Sequence, residues 1–335
     1  MFTESTETDL LDNCQRTINY LRLSVTDRCN MRCIYCMPEK GVKFLSHSEI
    51  LTYEEMLRII KLAVKLGIRK IRLTGGEPLV RKGIVQFIER LCEIEKLKEI
   101  GLTTNGILLK DFAHDLKRLD RCRVNVSMDS LRPEMFFQIT KRDYFDRVWE
   151  GIEEAESIGL YPIKINVVAM KGINDDEILD FARLTLEKPY HVRFIELMPV
   201  GDRTIWTAKK FISTKEIFDE INTLGALQPL GHNPLDGPAN RYAFEGAKGE
   251  IGFIGALSNH FCDSCNRLRL TADGHLRGCL FSDQETDIKT PLREGKEEVY
   301  LQDLMRMVIK NKPENHGLMK SSPRKCVRLM NSIGG

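Results

Sequence analysis

The chain predicts an α/β fold: an incomplete, TIM-like (β/α)6 barrel carrying a C-terminal extension. Three observations predict it. Short apolar strands alternate with amphipathic helices across residues 18–199. Polar side chains recur at every second position within several of those strands. Near residue 200 the alternation stops, and Pro and Gly become dense between Gly225 and Gly255. Alternating strands and helices build a parallel sheet. A parallel strand buried on both faces is almost continuously apolar, so these strands turn one polar face inward. A closed eight-stranded barrel fills its interior with branched apolar side chains. A polar interior suits an open arc around a ligand.

Residues 1–17 read as a flexible lead-in. Six strands follow, at residues 20–25, 70–74, 100–104, 123–127, 163–168 and 192–197. Between them, residues 53–66 place Met56, Ile59, Ile60, Ala63 and Val64 on one helical stripe that Gly67 can end. Residues 83–94 repeat the pattern with Ile84, Phe87, Ile88 and Leu91, and residues 146–158 repeat it again up to Gly159. Residues 200–335 read as an extension over the open side of the arc, with short strands at 241–244 and 250–253.

Hydrophobic residues make up 42% of the 335, enough for a sizeable core, and the formal net charge is only +2. That balance gives no reason to expect a nucleic-acid or membrane partner. No apolar run approaches the roughly 18 residues that span a bilayer. The acidic, polar start MFTESTETDLLDN lacks the features of a secretory signal or a mitochondrial presequence, so a cytoplasmic setting is expected. Six of the ten cysteines fall into two tight groups, and clustered thiols in such a chain read as metal ligands before disulfides.

Cys29, Cys33 and Cys36 follow directly on the first strand, at the barrel end where active sites form. Three thiolates leave one iron of a [4Fe-4S] cubane open, whereas a structural zinc site closes with four ligands. Met31, Ile34, Tyr35, Met37 and Pro38 supply an apolar wrapper. The bland alternative is a zinc knuckle that borrows His47. The C-x3-C-x2-C spacing resembles the radical S-adenosylmethionine superfamily. In that superfamily the open iron chelates S-adenosylmethionine, and Thr74-Gly75-Gly76-Glu77-Pro78 matches the segment that binds its methionyl ammonium.

A second trio, Cys262, Cys265 and Cys279, repeats the three-cysteine pattern, with a zinc ribbon completed by His260 or His275 as the alternative. Between these cysteines lies Arg267-Leu268-Arg269, whose two arginines share one side of an extended segment. Guanidinium forks suit phosphate oxygens. Arg22, Arg72 and Lys164 add cations inside the arc, and buried cations call for an anionic ligand. No G-x-x-x-x-G-K-[ST] loop occurs, so a triphosphate would rest on these side chains. Cys14, Cys92, Cys122 and Cys326 fit neither trio.

The segments LRLSVTDRCNMRCIYCMP, RLTGGEPLVRKG, TTNG, VNVSMDS, FIELMPVG, FCDSCNRLRLTADGHLRGCL and the final Gly-Gly resemble the molybdenum cofactor biosynthesis protein A family, the GTP 3',8-cyclases. The resemblance implies two [4Fe-4S] clusters, one on Cys29, Cys33 and Cys36 and one on Cys262, Cys265 and Cys279. It implies S-adenosylmethionine lined by Tyr35, Gly76, Ser127 and Met198. It implies GTP held by Arg22, Arg72, Thr103, Lys164, Arg267, Leu268 and Arg269, with Thr104 able to exchange roles with Thr103. Gly334 and Gly335 are expected to reach into the active site. A deoxyadenosyl radical would remove the ribose H3', and the C3' radical would attack guanine C8. The family also implies a homodimer and a downstream cyclic pyranopterin monophosphate synthase. The rivals are another radical enzyme acting on a peptide or RNA, and a zinc-stabilised binding module.

Overall fold

A computed structural model describes residues 10–200, 205–231, 237–317 and 326–334. The six expected strands form as β1 (Tyr20–Ser24), β2 (Lys70–Thr74), β3 (Glu99–Thr104), β4 (Cys122–Ser127), β5 (Ile163–Ala169) and β6 (Tyr190–Glu196). They pair in sequence order, all parallel. The helices between them are α1 (Tyr53–Lys65), α2 (Ile84–Cys92), α3 (Leu109–Lys117), α4 (Pro133–Thr140), α5 (Phe145–Ser157) and α6 (Ile178–Glu187). Helix α1 shows why they form. Thr52 and Glu55 make a reciprocal capping box that satisfies two orphan amides, and Met56, Ile59, Ile60 and Ala63 are buried on one stripe. Each such Met or Ile side chain contributes about 1.5–3 kcal/mol on burial.

The remaining elements are β7 (Leu227–Pro229), β8 (Asn240–Phe244), β9 (Glu250–Ile254), β10 (Arg267–Leu270), β11 (His275–Arg277) and β12 (Thr286–Asp287), with α7 (Thr214–Ile221), α8 (Lys289–Arg293), α9 (Glu298–Lys310) and α10 (Met330–Ile333). These strands extend the arc at both edges as well as following it in sequence. Strand β10 adds parallel to β1, and β9 adds parallel to β6. One twelve-stranded sheet results, of which the central eight strands run parallel among the described residues.

The alternation is real. Strands β5 and β6 alternate buried and half-buried residues along their whole length. Ile163, Ile165 and Val167 face the helices, while Lys164, Asn166 and Val168 face inward.

The lead-in differs from the expectation where it is described. Leu11 bridges Thr17. Arg16, 6% exposed, pairs with Asp12 at 2.6 Å and donates to the carbonyls of Cys262, Pro313 and Glu314. Residues 10–17 are therefore fastened to the segment bearing the second cysteine trio. A buried guanidinium needs every donor met, and here backbone carbonyls from two distant segments meet them.

Candidate active site

A cavity of about 300 Å³ is lined by all six trio cysteines. Cys29, Cys33 and Cys36 occupy the loop after β1. Its turn is closed by the amides of Cys36 and Met37 on the Cys33 carbonyl. The Met31 amide and the Asn105 side chain approach Cys29 Sγ at 3.4 and 3.7 Å, the donor environment that iron-bound sulfur uses. Met31 and Met37 are buried against the loop. Burial pushes the Cys29 thiol up to about 11 and the Cys36 thiol up to about 12, so ligation must take their protons. His47 is exposed and does not line the cavity, which removes it as a fourth ligand here.

The second trio has a different electrostatic setting. The Cys265 amide bonds the Cys262 carbonyl at 3.1 Å. Burial raises the Cys265 thiol, but the Arg267 and Lys312 charges outweigh it and bring it to about 6. Lys312 Nζ lies 3.3 Å from Cys265 Sγ and also donates to the carbonyls of Arg267 and Gly278. His260 and His316 bring ligand atoms within 4.8 Å of each other and of Cys262 Sγ. His275 instead pairs with Asp273. The residues fit an iron–sulfur cluster at each trio: three thiols of each line one cavity, with N–H donors beside the sulfurs of Cys29 and Cys265.

Between the trios lies the expected cofactor wall. Tyr35, Gly76, Ser127 and Met198 all line the cavity. Tyr35 donates to Asp129 at 2.7 Å. A methyl at Gly76 would meet the Arg28 carbonyl oxygen at 2.1 Å, so only glycine fits that turn. Glu77 is buried and accepts from Thr104 Oγ1, Asn105 N and Leu79 N.

The cations gather on the floor and on one side. Arg22, Arg72, Arg267 and Arg269 line the cavity. Strand register explains their grouping: Arg22 stands opposite Arg72 on one side and Arg269 on the other. Gly101 makes room for the Arg72 guanidinium, because a Cβ there would lie 2.8 Å from its Cζ. Thr103 Oγ1 is 3.4 Å from Arg72 Nη1, while Thr104 is committed to Glu77; Thr103 is the one that sits with the cations.

Two expected residues lie elsewhere. The Leu268 side chain points to the opposite face and is buried in the core. Lys164 shares the polar face but sits one pleat below Asn166, outside the cavity walls. Burial and the nearby Arg193 charge lower Lys164 to about 7. Gly334 reaches the cations, its carbonyl accepting from Arg269 Nη1 at 2.7 Å. Gly335 lies outside the described residues. Sequence reasoning missed Arg193, Tyr20 and Asp129, which also line the cavity, and Lys312 behind it. For Arg193 the signal was present: it alternates with Val192 and Phe194 as Lys164 alternates in β5.

A (β/α) arc with a three-cysteine loop after its first strand defines the radical S-adenosylmethionine class, and comparison with known proteins agrees. Residues 23–185 match the radical SAM superfamily, and residues 190–318 match the family described as Molybdenum Cofactor Synthesis C. Streptococcus suis SuiB bound to precursor peptide SuiA shares the fold at a TM-score of 0.63, with 14% identity, over 92% of this chain and 68% of that one. The GTP 3',8-cyclase of Desulforamulus reducens is 50% identical over 97% of this chain and 100% of its own length. That of Thermodesulfovibrio yellowstonii is 52% identical over 97% and 99%. The chain belongs to the GTP 3',8-cyclase family of radical SAM enzymes. It accordingly uses a [4Fe-4S] cluster and S-adenosylmethionine. No helix among the described residues is long and apolar enough to cross a membrane.

Proposed function

We propose that this protein cyclises GTP between ribose C3' and guanine C8, the first step of molybdenum cofactor biosynthesis. The observation that carries the reading is one cavity bounded by two cysteine trios with a cation cluster between them. When bound, the first cluster and S-adenosylmethionine supply a deoxyadenosyl radical that can take the ribose H3'. The chain's own residues do the rest. Cys29, Cys33 and Cys36 hold that cluster, and Tyr35, Gly76, Ser127 and Met198 orient the cosubstrate. Arg22, Arg72, Thr103, Arg267 and Arg269 hold the triphosphate, joined by Arg193, with Lys164 contributing charge from below. Cys262, Cys265 and Cys279 would hold a second [4Fe-4S] cluster, which would supply an iron for the guanine to meet. Gly334 stands within this group, and we assign Gly335 to the same tail. Precise seating of C3' near the radical source converts binding energy into orientation. We further infer a cytoplasmic homodimer that passes its product to the cyclic pyranopterin monophosphate synthase.

The test is an anaerobic incubation of the reconstituted, reduced enzyme with S-adenosylmethionine and GTP deuterated at C3'. Deuterium should appear in deoxyadenosine, together with a cyclised nucleotide. Unlabelled deoxyadenosine without a GTP-derived product would refute the substrate and favour a peptide or RNA. Protein carrying only zinc at the second trio would refute the second cluster.

A further inference from the structure

Two carboxamides lie in the cavity between the cations and the expected cofactor wall. Asn125 of β4, 4% exposed, and Asn166 of β5 both line it. Strand register sets their neighbours. Asn125 stands opposite Thr103 on β3 and Lys164 on β5. Asn166 stands opposite Ser127 on β4 and Arg193 on β6. Ser127 is also the next inward-facing residue after Asn125 on its own strand. The pair therefore has residues of the triphosphate group on one side and a residue of the cosubstrate wall on the other.

Among the described residues none hydrogen-bonds the buried side-chain oxygen of either asparagine. Other buried asparagines of the chain show the contrast. Asn174 accepts from the Met170 amide at 2.8 Å and donates to the carbonyls of Asp129 and Val168 at 2.7 and 3.0 Å. Asn105 accepts from the Ile107 amide at 3.2 Å and donates to Asn30 at 2.7 Å. Buried polar side-chain atoms are normally paired, and one left unmade is costly. Solvent can serve a carboxamide while the enzyme is empty; the protein itself commits no partner to these two oxygens.

The chemistry of the group narrows what it meets. A carboxamide accepts at its oxygen and donates at its nitrogen, and a hydroxyl does both as well. A phosphate oxygen only accepts, and guanidiniums already suit it. With the triphosphate among the arginines and the guanine toward the second trio, the part of GTP left between the cations and the cosubstrate wall is the ribose. That is also where C3' must stand to lose its hydrogen.

We propose that Asn125 and Asn166 form the ribose seat of GTP, bonding its 2'- and 3'-hydroxyls. The inference rests on the GTP reading above and adds two residues that position C3' and select a ribonucleotide over its deoxy analogues. A site built to bond a hydroxyl rejects the analogue that lacks it, because its own polar group is then left unpaired.

The experiment measures the affinity of anaerobically reconstituted enzyme for GTP, 2'-deoxyGTP and 3'-deoxyGTP, in wild type, Asn125→Ala and Asn166→Ala. Wild type should bind GTP about 10- to 100-fold more tightly than either analogue. Each variant should lose its preference over one of the two analogues, while its affinity for S-adenosylmethionine stays unchanged. With S-adenosylmethionine and GTP deuterated at C3', the share of deoxyadenosine carrying deuterium should fall in both variants, because C3' is held less well. The ligand-free variants should melt no lower than wild type. A Tm well below it would show that the protein holds these carboxamides itself, and overturns the proposal. So do variants that keep both preferences, and variants that lose S-adenosylmethionine affinity while keeping them, which would give the seat to the adenosyl ribose. Wild type that binds all three nucleotides equally refutes the seat alone; wild type that binds none refutes the GTP reading and the seat with it.

Discussion

Arg328→Ala should release the C-terminal tail. Arg328 bonds Asp273 through both its terminal nitrogens, at 3.0 and 2.9 Å, and also reaches Glu285 at 2.7 Å. Beyond it the tail is held by the Asn331 side chain on the Asp27 carbonyl and by the Gly334 carbonyl on Arg269. Hydrogen bonds to charged groups contribute about 1.5–3 kcal/mol. The Arg328 side chain is 27% exposed, so a discounted value of about 2 kcal/mol is appropriate. That corresponds to roughly a 30-fold shift from docked toward undocked tail. Asp273 keeps Thr271 and His275 as partners, so the β10–β11 turn survives the substitution. Hydrogen exchange should therefore accelerate by about the same factor at residues 326–334 and stay unchanged in β10. Turnover should fall in proportion if the tail assists chemistry. Arg328→Lys should recover only part, because an ammonium cannot bridge both carboxylates as a planar fork does. Burial pushes Asp273 up, but hydrogen bonds from His275, Arg328 and Thr271 hold it well below the carboxylate range. Its contribution is present above the ordinary carboxylate pKa and is lost only as pH falls through the depressed one, so the tie should persist at pH 5. Unchanged protection of the tail in Arg328→Ala refutes the anchoring role.

Three further outcomes are expected. Gly76→Ala drives a methyl into the Arg28 carbonyl, costing about 3 kcal/mol or more; S-adenosylmethionine binding should be lost by equilibrium dialysis, and an unchanged Kd would refute the packing argument. Lys312→Met leaves the Arg267 and Gly278 carbonyls without their buried donor, at about 1–3 kcal/mol each. Iron should drop from about eight to about four per chain while the first cluster's spectrum persists; loss of both signals would count against a local role. Lys164→Met removes a buried cation, so the empty protein should gain on the order of 1 kcal/mol, or about 2–4 °C in Tm, while GTP affinity falls. A lower Tm would show that Lys164 is satisfied without substrate.

The arc was legible because its period is local. Alternation in β5 and β6, and a helical stripe such as Met56-Ile59-Ile60-Ala63, each lie within one short window. Both cysteine trios and the GGEP turn were legible for the same reason. The edge strands were less so. Strand β10 pairs with β1 across more than two hundred residues of sequence, and no local pattern carries that register. Nor could local pattern assign Lys312, which reaches Cys265 from beyond the end of α9, or the reach of Arg16 past its local partner Asp12 to backbone carbonyls near residues 262 and 313. The Leu268 side chain is turned from the cavity for an opposite reason. It sits inside a motif whose neighbours face the cavity, but the two-residue period of the strand turns it into the core.

The same period explains why the pocket must be charged before any substrate arrives. Neighbouring parallel strands stand about 4.8 Å apart, and β10, β1 and β2 are in register at Arg269, Arg22 and Arg72. A sheet that fixes those positions fixes three like charges side by side. Like charges directly opposite destabilise a sheet, so the fold tolerates the row only with compensation at hand. Each edge of the row has one: the Gly334 carbonyl on Arg269 and the Tyr20 oxygen on Arg72. Neither group is an anion fixed in the sheet: the first is a carbonyl on the C-terminal tail, the second a phenol hydroxyl. A fixed carboxylate in either place would neutralise the row permanently and compete with a triphosphate. A carbonyl and a phenol hydroxyl bring no fixed negative charge and leave the row open to a stronger anion.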